Sequence, residues 1–119
     1  MAGGINRIST HVLDTTLGKP AARVPVRLEQ REKKDGRWVA LGSFHTDADG
    51  RCAQMLAESQ ALAEGQFRLV FDTGTYYAAQ NVPGLYPVVE ITFQIRKGES
   101  QFHIPLLLSP NGYTTYRGS

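Results

Sequence analysis

The chain has 119 residues, a formal net charge of +2 and one cysteine, Cys52. This length suits a single hydrophobic core, so we expect one domain over residues 1–119. The basic residues are scattered among acidic ones, which argues against a nucleic-acid partner, and a lone cysteine excludes an internal disulfide and a thiolate-rich metal site.

The sequence has neither a basic and apolar leader at Met1–Asn6 nor an apolar run of about 18 residues. We therefore expect a cytoplasmic protein without a membrane partner. Cys52 itself is expected to be a small buried apolar residue.

The first segment with the pattern of a strand is Ile8–Asp14. With a period of two, Ile8 and Val12 share one face and His11 lies on the other. A glycine and a proline in Asp14–Pro20 predict a loop. The sequence therefore predicts a first strand whose histidine points away from the core.

Three more strands are predicted before the middle of the chain. Val24–Leu28 alternates, although Pro25 indicates a sheet edge or a bulge because proline lacks an amide hydrogen. Two Asp-Gly turn dipeptides flank Trp38–Phe44, and the second of them leads into Arg51–Ala53. Arg51 is thereby placed directly after a tight turn.

The second half begins with an ambiguous segment, Ala53–Glu64. Its composition favours helix, but its apolar pattern is irregular, so we expect a loop with helical tendency. Phe67–Asp72 alternates as a strand, and Thr73–Asn81 is expected to form one short helix. Val89–Arg96 alternates almost without interruption and is the clearest half-buried strand.

Two more strands are predicted at the end of the chain. Phe102–Leu108 puts His103 opposite its apolar face, whereas Pro105 requires a position where no amide hydrogen bond is needed. A Ser-Pro-Asn-Gly turn precedes the tail Tyr113–Ser119, which we expect to return as a strand. Such a strand would present Tyr113, Thr115 and Arg117 on one side and Thr114, Tyr116 and Gly118 on the other. About eight short strands and one short helix predict an all-β, two-sheet β-sandwich.

The two outward histidines are the candidate catalytic residues. Since imidazole titrates at about pH 6.5, His11 and His103 could take and give a proton at neutral pH. Arg51 offers a planar fork of donors for a carbonyl-rich or anionic ligand, and the three together suffice for hydrolysis by water. Each also fits an ordinary surface residue, the role expected for His45, and the tail alone fits an edge strand that ends in solvent.

No other class of site is supported by the sequence. The histidines lack the close spacing of a preformed zinc site, so we expect no metal and no cofactor. No nucleophile elbow, no phosphate-binding glycine loop and no interleaving of aromatic and basic residues is present.

Three stretches of the sequence are similar to one known family: ISTHVLD at Ile8–Asp14, the turn Thr46–Arg51, and HIPLLLSPNGYTTYRGS at His103–Ser119. In these stretches the chain resembles the 5-hydroxyisourate hydrolase family, whose terminal Tyr-Arg-Gly-Ser separates it from the related transthyretins. The resemblance implies a transthyretin-like sandwich and a homotetramer, a dimer of dimers with active sites at the interface between dimers. It also implies hydrolysis of 5-hydroxyisourate to 2-oxo-4-hydroxy-4-carboxy-5-ureidoimidazoline in urate degradation.

Residue by residue, the resemblance implies catalytic roles for His11, His103, Arg51 and Ser119. The two histidines would act as base and acid, in an order that the sequence leaves open, and Arg51 would hold the substrate and stabilise negative charge. The substrate-binding residues implied by the family are His11, Arg51, Tyr116, Arg117 and Gly118. One residue added after Ser119 is expected to abolish catalysis.

Two other functions stay open at this point. A carrier of a small aromatic ligand, as transthyretin is, would share the fold, although two proton-transfer groups are unexpected in a carrier channel. A sandwich that binds another protein through an exposed edge is the second alternative, and no residue pattern specifies its partner.

Overall fold

The computed structural model describes residues 6–119, and in this range the chain forms nine β-strands and one α-helix. The elements in chain order are β1 (Arg7–Asp14), β2 (Lys19–Pro20), β3 (Pro25–Arg31), β4 (Trp38–His45), β5 (Arg51–Cys52), β6 (Gly65–Phe71), α1 (Thr73–Ala78), β7 (Val89–Ile95), β8 (Gln101–Ser109) and β9 (Gly112–Thr115). Residues 1–5 of the segment Met1–Asn6, where no leader was expected, lie outside the described range. Within residues 6–119, no helix has the length and apolar character needed to cross a membrane.

The strands form two sheets. The first sheet has the order β2-β1-β8-β9, with β5 also paired to β1, and the second has the order β4-β3-β6-β7. β1 pairs in parallel with β8 along the whole length of β1, whereas the other strand pairs are antiparallel. The predicted all-β sandwich of two sheets with one short helix is confirmed.

Alternating burial along the strands builds the core between the sheets. In β1 every second residue from Ile8 to Asp14 is buried, so His11 lies on the outer face, as predicted. The second sheet contributes two fully buried aromatic side chains, Phe67 and Phe71. Burying a side chain of this kind stabilises the fold by roughly 1.5–3 kcal/mol. Because the residues between the sheets supply this stability, the outer faces of the sheets can carry polar groups.

The helix α1 joins the end of β6 to the loop before β7. Asp72 caps it, because one carboxylate oxygen accepts an amide hydrogen of the first turn at 3.0 Å. The helix stops short of the predicted Asn81, whose φ of 55° lies outside the right-handed helical region. Tyr76 ties the helix to β1 by donating to the buried carboxylate of Asp14 at 2.7 Å. Burial and this hydrogen bond raise the pKa of Tyr76 to about 12.

Two local predictions differ from the structure. Pro25 is the first residue of β3, which lies between β4 and β6, so the expected sheet edge or bulge at this proline is wrong. Proline is tolerated at the first position of a strand, and the bulge lies further on, between Leu28 and Glu29. The segment Asp14–Pro20, expected as a loop, ends in the short strand β2, which pairs with the end of β1.

The segment Ala53–Glu64 carries neither helix nor strand, which confirms the expected loop. Met55 is nonetheless buried, and its amide donates to the carbonyl of Ile8 at 2.8 Å, so this part of the loop is fixed to β1. Cys52 is buried as expected, and burial raises the pKa of its thiol to about 11. The thiol is therefore protonated at neutral pH.

An ion-pair cluster lies on the outer face of the second sheet. Glu29 is 7% exposed and accepts hydrogen bonds from Arg27 Nε at 2.6 Å and from Arg68 Nε at 2.7 Å. Arg68 also stacks over Trp38, with its Cζ 4.2 Å from the ring centroid. Burial raises the pKa of Glu29, but the hydrogen bonds and positive charges of both arginines outweigh burial and lower the pKa below its usual value. The carboxylate therefore keeps its charge at neutral pH.

Candidate active site

The predicted site residues meet on the outer face of the first sheet, where β1 lies between β5 and β8. His11 pairs directly with Arg51 across β1 and β5, and Ser9 pairs with His103 across β1 and β8. Directly opposite residues in neighbouring strands project to the same face with their Cβ atoms about 5 Å apart. Strand register therefore collects both histidines and the arginine on one surface.

The turn before β5 fixes the position of Arg51. One carboxylate oxygen of Asp47 accepts the amide hydrogens of Asp49 at 2.9 Å and of Arg51 at 3.0 Å. Gly50 has a φ of 76°, a left-handed conformation that favours glycine, and its carbonyl accepts the amide hydrogen of Val12 at 2.7 Å. The turn is thus held by its own hydrogen bonds and by one hydrogen bond to β1 next to His11.

The tail returns along β8, but its ladder is interrupted at Pro105. Backbone groups of β8 alternate in direction: the Ile104 carbonyl accepts Thr10 Oγ1 of β1 at 2.6 Å, and the His103 carbonyl accepts the amide hydrogen of Gly118 at 2.8 Å. The missing amide of Pro105 therefore faces the tail, and β9 ends at Thr115, whose Oγ1 donates to the Pro105 carbonyl at 2.8 Å. This position meets the predicted requirement that no amide hydrogen be needed from Pro105.

Pairing resumes at the bridge between His103 and Gly118, where the tail packs on the imidazole ring. A Cβ atom added to Gly118 would lie 3.2 Å from His103 Cγ and 3.3 Å from Pro105 Cγ, and closer still to His103 Cδ2. Only a glycine lets the backbone approach the ring this closely. The close packing of the tail against the imidazole therefore requires a glycine at position 118.

His103 is half-buried and is held by two contacts. Its Nδ1 lies 2.9 Å from the hydroxyl oxygen of Ser9, and its carbonyl holds the tail. Burial lowers the pKa of His103 below its usual 6.5, and the nearby charges of Arg51 and His11 lower it further. The imidazole is therefore mostly neutral at pH 7.

A cavity of about 300 Å³ opens at this place. Its lining includes four of the predicted site residues: Arg51, His103, Gly118 and Ser119. The remaining lining residues are Arg7, Ser9, Thr10, Ala53, Gln101 and Phe102. His11 lies beside the cavity, next to Arg51 in the sheet and close enough for its charge to act on His103. The cavity thus combines a guanidinium and an imidazole with the end of the tail.

The structure places Tyr116 and Arg117 away from this cavity. Both border a second cavity of about 220 Å³, with Phe93 and Ile104 among its other lining residues. Arg117 donates to the carboxylate of Glu99 at 2.8 Å and lies over the ring of Phe102, 4.5 Å from its centroid. The alternation predicted for the tail fails at Tyr116, which borders the same cavity as Thr115 and Arg117, because the ladder is broken opposite Pro105.

Six of the ten lining residues were not predicted as site residues, among them Ser9 and Arg7 of β1. Both lie at even spacing from His11 on the outer face of β1, so the same alternation that selected this histidine marks them too. The cavity therefore carries Arg7 beside Arg51, whereas Arg117, the second arginine predicted for the site, borders the second cavity. Among residues 6–119, no group of three or more His, Cys, Asp or Glu is arranged to hold a metal ion.

The sequence model of the HIUase/Transthyretin family matches residues 8–118, which hold both histidines, Arg51 and Gly118. The chain belongs to this family. Among its relatives, the 5-hydroxyisourate hydrolase of Mus musculus is 44% identical over 119 residues, and the match covers 100% of both chains.

Solved structures of the HIUase/Transthyretin family have the same fold. The structure of Klebsiella pneumoniae 5-hydroxyisourate hydrolase superposes with a TM-score of 0.80 at 34% identity, covering 96% of this chain and 94% of that one. Sea bream transthyretin in complex with thyroxine superposes with a TM-score of 0.87 at 31% identity, covering 94% of both chains. The transthyretin-like sandwich predicted from the sequence is therefore confirmed.

Proposed function

We propose that this chain is a 5-hydroxyisourate hydrolase. The observation that carries the proposal is the meeting of His103, Arg51 and His11 on one face of the first sheet, beside a cavity of about 300 Å³. A cavity of this volume is at the lower end of the range for small-molecule sites, which suits a substrate of two fused rings. Relatives that carry this name match along the whole chain.

The reaction adds one water molecule to the ring. The water oxygen forms a bond to a ring carbonyl carbon, the bond from that carbon to the ring nitrogen breaks, and one hydrogen of the water ends on the nitrogen. Catalysis needs a base for the water, donors for the charge that develops on the carbonyl oxygen, and a proton for the departing nitrogen. Two imidazoles and a guanidinium supply these three functions without a covalent intermediate.

The positions of individual residues support the role that we propose for each. Arg51, next to His11 and bordering the cavity, holds the substrate and stabilises the developing negative charge. Between them, His11 and His103 supply the base for the water and a ring N–H donor. Gly118 and Ser119 form the wall that the tail adds beside His103. Together these residues surround a planar, carbonyl-rich ligand with donors.

We propose that the chain assembles as a homotetramer, a dimer of dimers with active sites between dimers. In this assembly Tyr116 and Arg117 take part in substrate binding. In one chain they border the second cavity, and the side chains on the histidine face of β1 are half-buried or exposed. Support comes from the apolar side chains that this chain exposes: Leu17, Val39, Leu85, Tyr86, Val88, Tyr113 and Tyr116. Sedimentation equilibrium tests the assembly, and a monomer at micromolar concentration would contradict it.

We further propose that residues 1–119 act as one hydrolase domain in the cytoplasm. The two sheets share one cluster of buried side chains, which supports one folding unit. Cell fractionation with an antibody to the chain tests the compartment, and limited proteolysis tests the domain assignment.

The test of the activity uses freshly generated 5-hydroxyisourate, made from urate by a urate oxidase, whose absorbance decay is followed with and without the protein. We expect the protein to accelerate the decay by orders of magnitude. Decay at the spontaneous rate would overturn the proposal. A carrier role is less favoured, because imidazoles and arginines border the cavity; tight binding of thyroxine without hydrolysis would revive it.

A further inference from the structure

His103 has a partner that the roles above leave unused. Ser9 lies directly opposite His103 in the parallel pair of β1 and β8, and its hydroxyl oxygen is 2.9 Å from Nδ1. Both residues line the cavity of about 300 Å³. Because Nδ1 is taken by Ser9, Nε2 is the ring nitrogen available to a molecule in the cavity.

The direction of this hydrogen bond decides what His103 does. If the Ser9 hydroxyl donates to Nδ1, a neutral ring carries its proton on Nε2 and presents a donor to the cavity. If Nδ1 carries the proton and donates a hydrogen bond to the Ser9 hydroxyl oxygen, Nε2 presents a lone pair and the ring is a base. The two arrangements differ only in the position of hydrogens, yet one makes His103 a hydrogen-bond donor to the substrate and the other makes it a base.

The surroundings of His103 favour the first arrangement. Within residues 6–119, the Ser9 hydroxyl makes one hydrogen bond, with Nδ1 of His103, so this nitrogen is the acceptor for the hydroxyl hydrogen. Among residues 6–119, no Asp or Glu side chain lines the cavity to draw a proton onto Nδ1. Arg51 and His11 are the charged and titratable groups that act on the ring, and both disfavour an imidazolium.

We propose that Ser9 is a positioning residue that donates its hydroxyl hydrogen to Nδ1 of His103 and so fixes the tautomer with the proton on Nε2. This inference rests on the proposed hydrolase function. His103 then donates a hydrogen bond to the carbonyl oxygen on which negative charge develops, together with Arg51. His11 is left as the base: it takes a proton from the attacking water and returns it to the departing ring nitrogen, so protons balance without a change in His103.

The tautomer is tested directly by two-bond ¹H–¹⁵N correlation spectra of the histidine-labelled protein at about pH 8, where the ring is neutral. We expect His103 to show the pattern of a protonated Nε2 and an unprotonated Nδ1. Its signals are assigned by their absence from a His103→Gln variant. A protonated Nδ1 would overturn the proposal, and this measurement needs no substrate.

The positioning role is tested by two substitutions at one position. Ser9→Ala removes the hydroxyl, so the ring should populate both tautomers and kcat should fall about tenfold with little change in KM, as for the loss of one hydrogen bond. Ser9→Thr keeps the hydroxyl in a residue that suits a strand and should restore both kcat and the single tautomer. Ser43→Ala, at an exposed position of β4 in the second sheet, is the matched control and should behave as wild type.

The outcomes separate this inference from the proposed function. If wild-type protein is inactive while the spectra show a protonated Nε2, the hydrolase assignment fails and the tautomer stands. If wild-type protein is active but Ser9→Ala keeps full kcat and a single tautomer, the positioning role fails. Thermal melting of each variant shows whether it is folded, and the wild-type spectra decide the tautomer even if Ser9→Ala does not fold.

Discussion

The contact between Gly118 and His103 makes a specific prediction: Gly118→Ala should strongly reduce activity and leave the fold intact. The new Cβ would sit 3.2 Å from His103 Cγ and 3.3 Å from Pro105 Cγ, with His103 Cδ2 nearer still, whereas carbon atoms in ordinary contact are about 3.5–4.0 Å apart. Either the tail or the ring must therefore move by on the order of 1 Å. A misplacement of about 1 Å in an active site typically costs about a hundredfold in rate.

The stability of the same variant should change little. The tail is held at this point by one backbone hydrogen bond, from the Gly118 amide to the His103 carbonyl at 2.8 Å. A hydrogen bond contributes about 1 kcal/mol net, so releasing the tail relieves the clash at that small cost. We therefore expect kcat to fall about a hundredfold while the melting temperature shifts by only a few degrees.

The assay is the decay of fresh 5-hydroxyisourate, combined with thermal melting of the same samples. Gly112→Ala is the control, because its added Cβ would meet only Ser109 Oγ at 3.7 Å, an ordinary contact. This variant keeps the same tail and should keep wild-type rates. A Gly118→Ala protein with wild-type kcat would refute the reasoning, since the ring and tail would then tolerate the displacement.

Three further predictions concern Arg51, His103 and Glu29. Arg51→Ala should slow turnover by about 10²–10³-fold without unfolding the protein, and an NMR titration should show a higher pKa for His103 because a nearby cation is lost. Since the folded pKa of His103 lies below 6.5, the unfolded state binds the proton first, so thermal stability should fall as the pH drops through 6.5; a His103→Gln variant that keeps the full slope would contradict this. Glu29→Gln should cost roughly 1–3 kcal/mol in urea unfolding and spare kcat, because Arg27 and Arg68 lose their carboxylate on the opposite sheet; unchanged stability would show that the cluster contributes nothing.

Much of the sandwich could be predicted from local pattern. Alternation along Ile8–Asp14 placed His11 on the outer face, and the Asp-Gly turn placed Arg51 at the start of a strand. These features depend on residues close in sequence. The pairing of β1 with both β5 and β8, which brings Arg51 and His103 to the same face, depends on contacts between distant segments that periodicity does not encode.

The tail was the hardest part to predict. Its residues alternate in sequence, but the missing amide of Pro105 interrupts the ladder, so Tyr116 borders a different cavity from Gly118. That effect depends on which residue of β8 faces which residue of the tail. The position of Pro25 shows the same limit, since the proline itself was visible in the sequence but its place at the start of a central strand was not.

Pro105 interrupts the pairing between β8 and the tail, and this interruption affects how proteins with this fold can acquire different functions. Beyond Thr115, within residues 6–119, the backbone of the tail pairs with β8 at one bridge, at Gly118, and Arg117 adds side-chain contacts to Gln101 and Phe102. Releasing these last residues breaks few contacts, so they contribute little to the cooperative unfolding of the sandwich. Substitutions there can accumulate without a loss of folded protein. One scaffold can then exchange the end that completes its cavity, which is a physical route by which a hydrolase and a hormone carrier can share a sandwich.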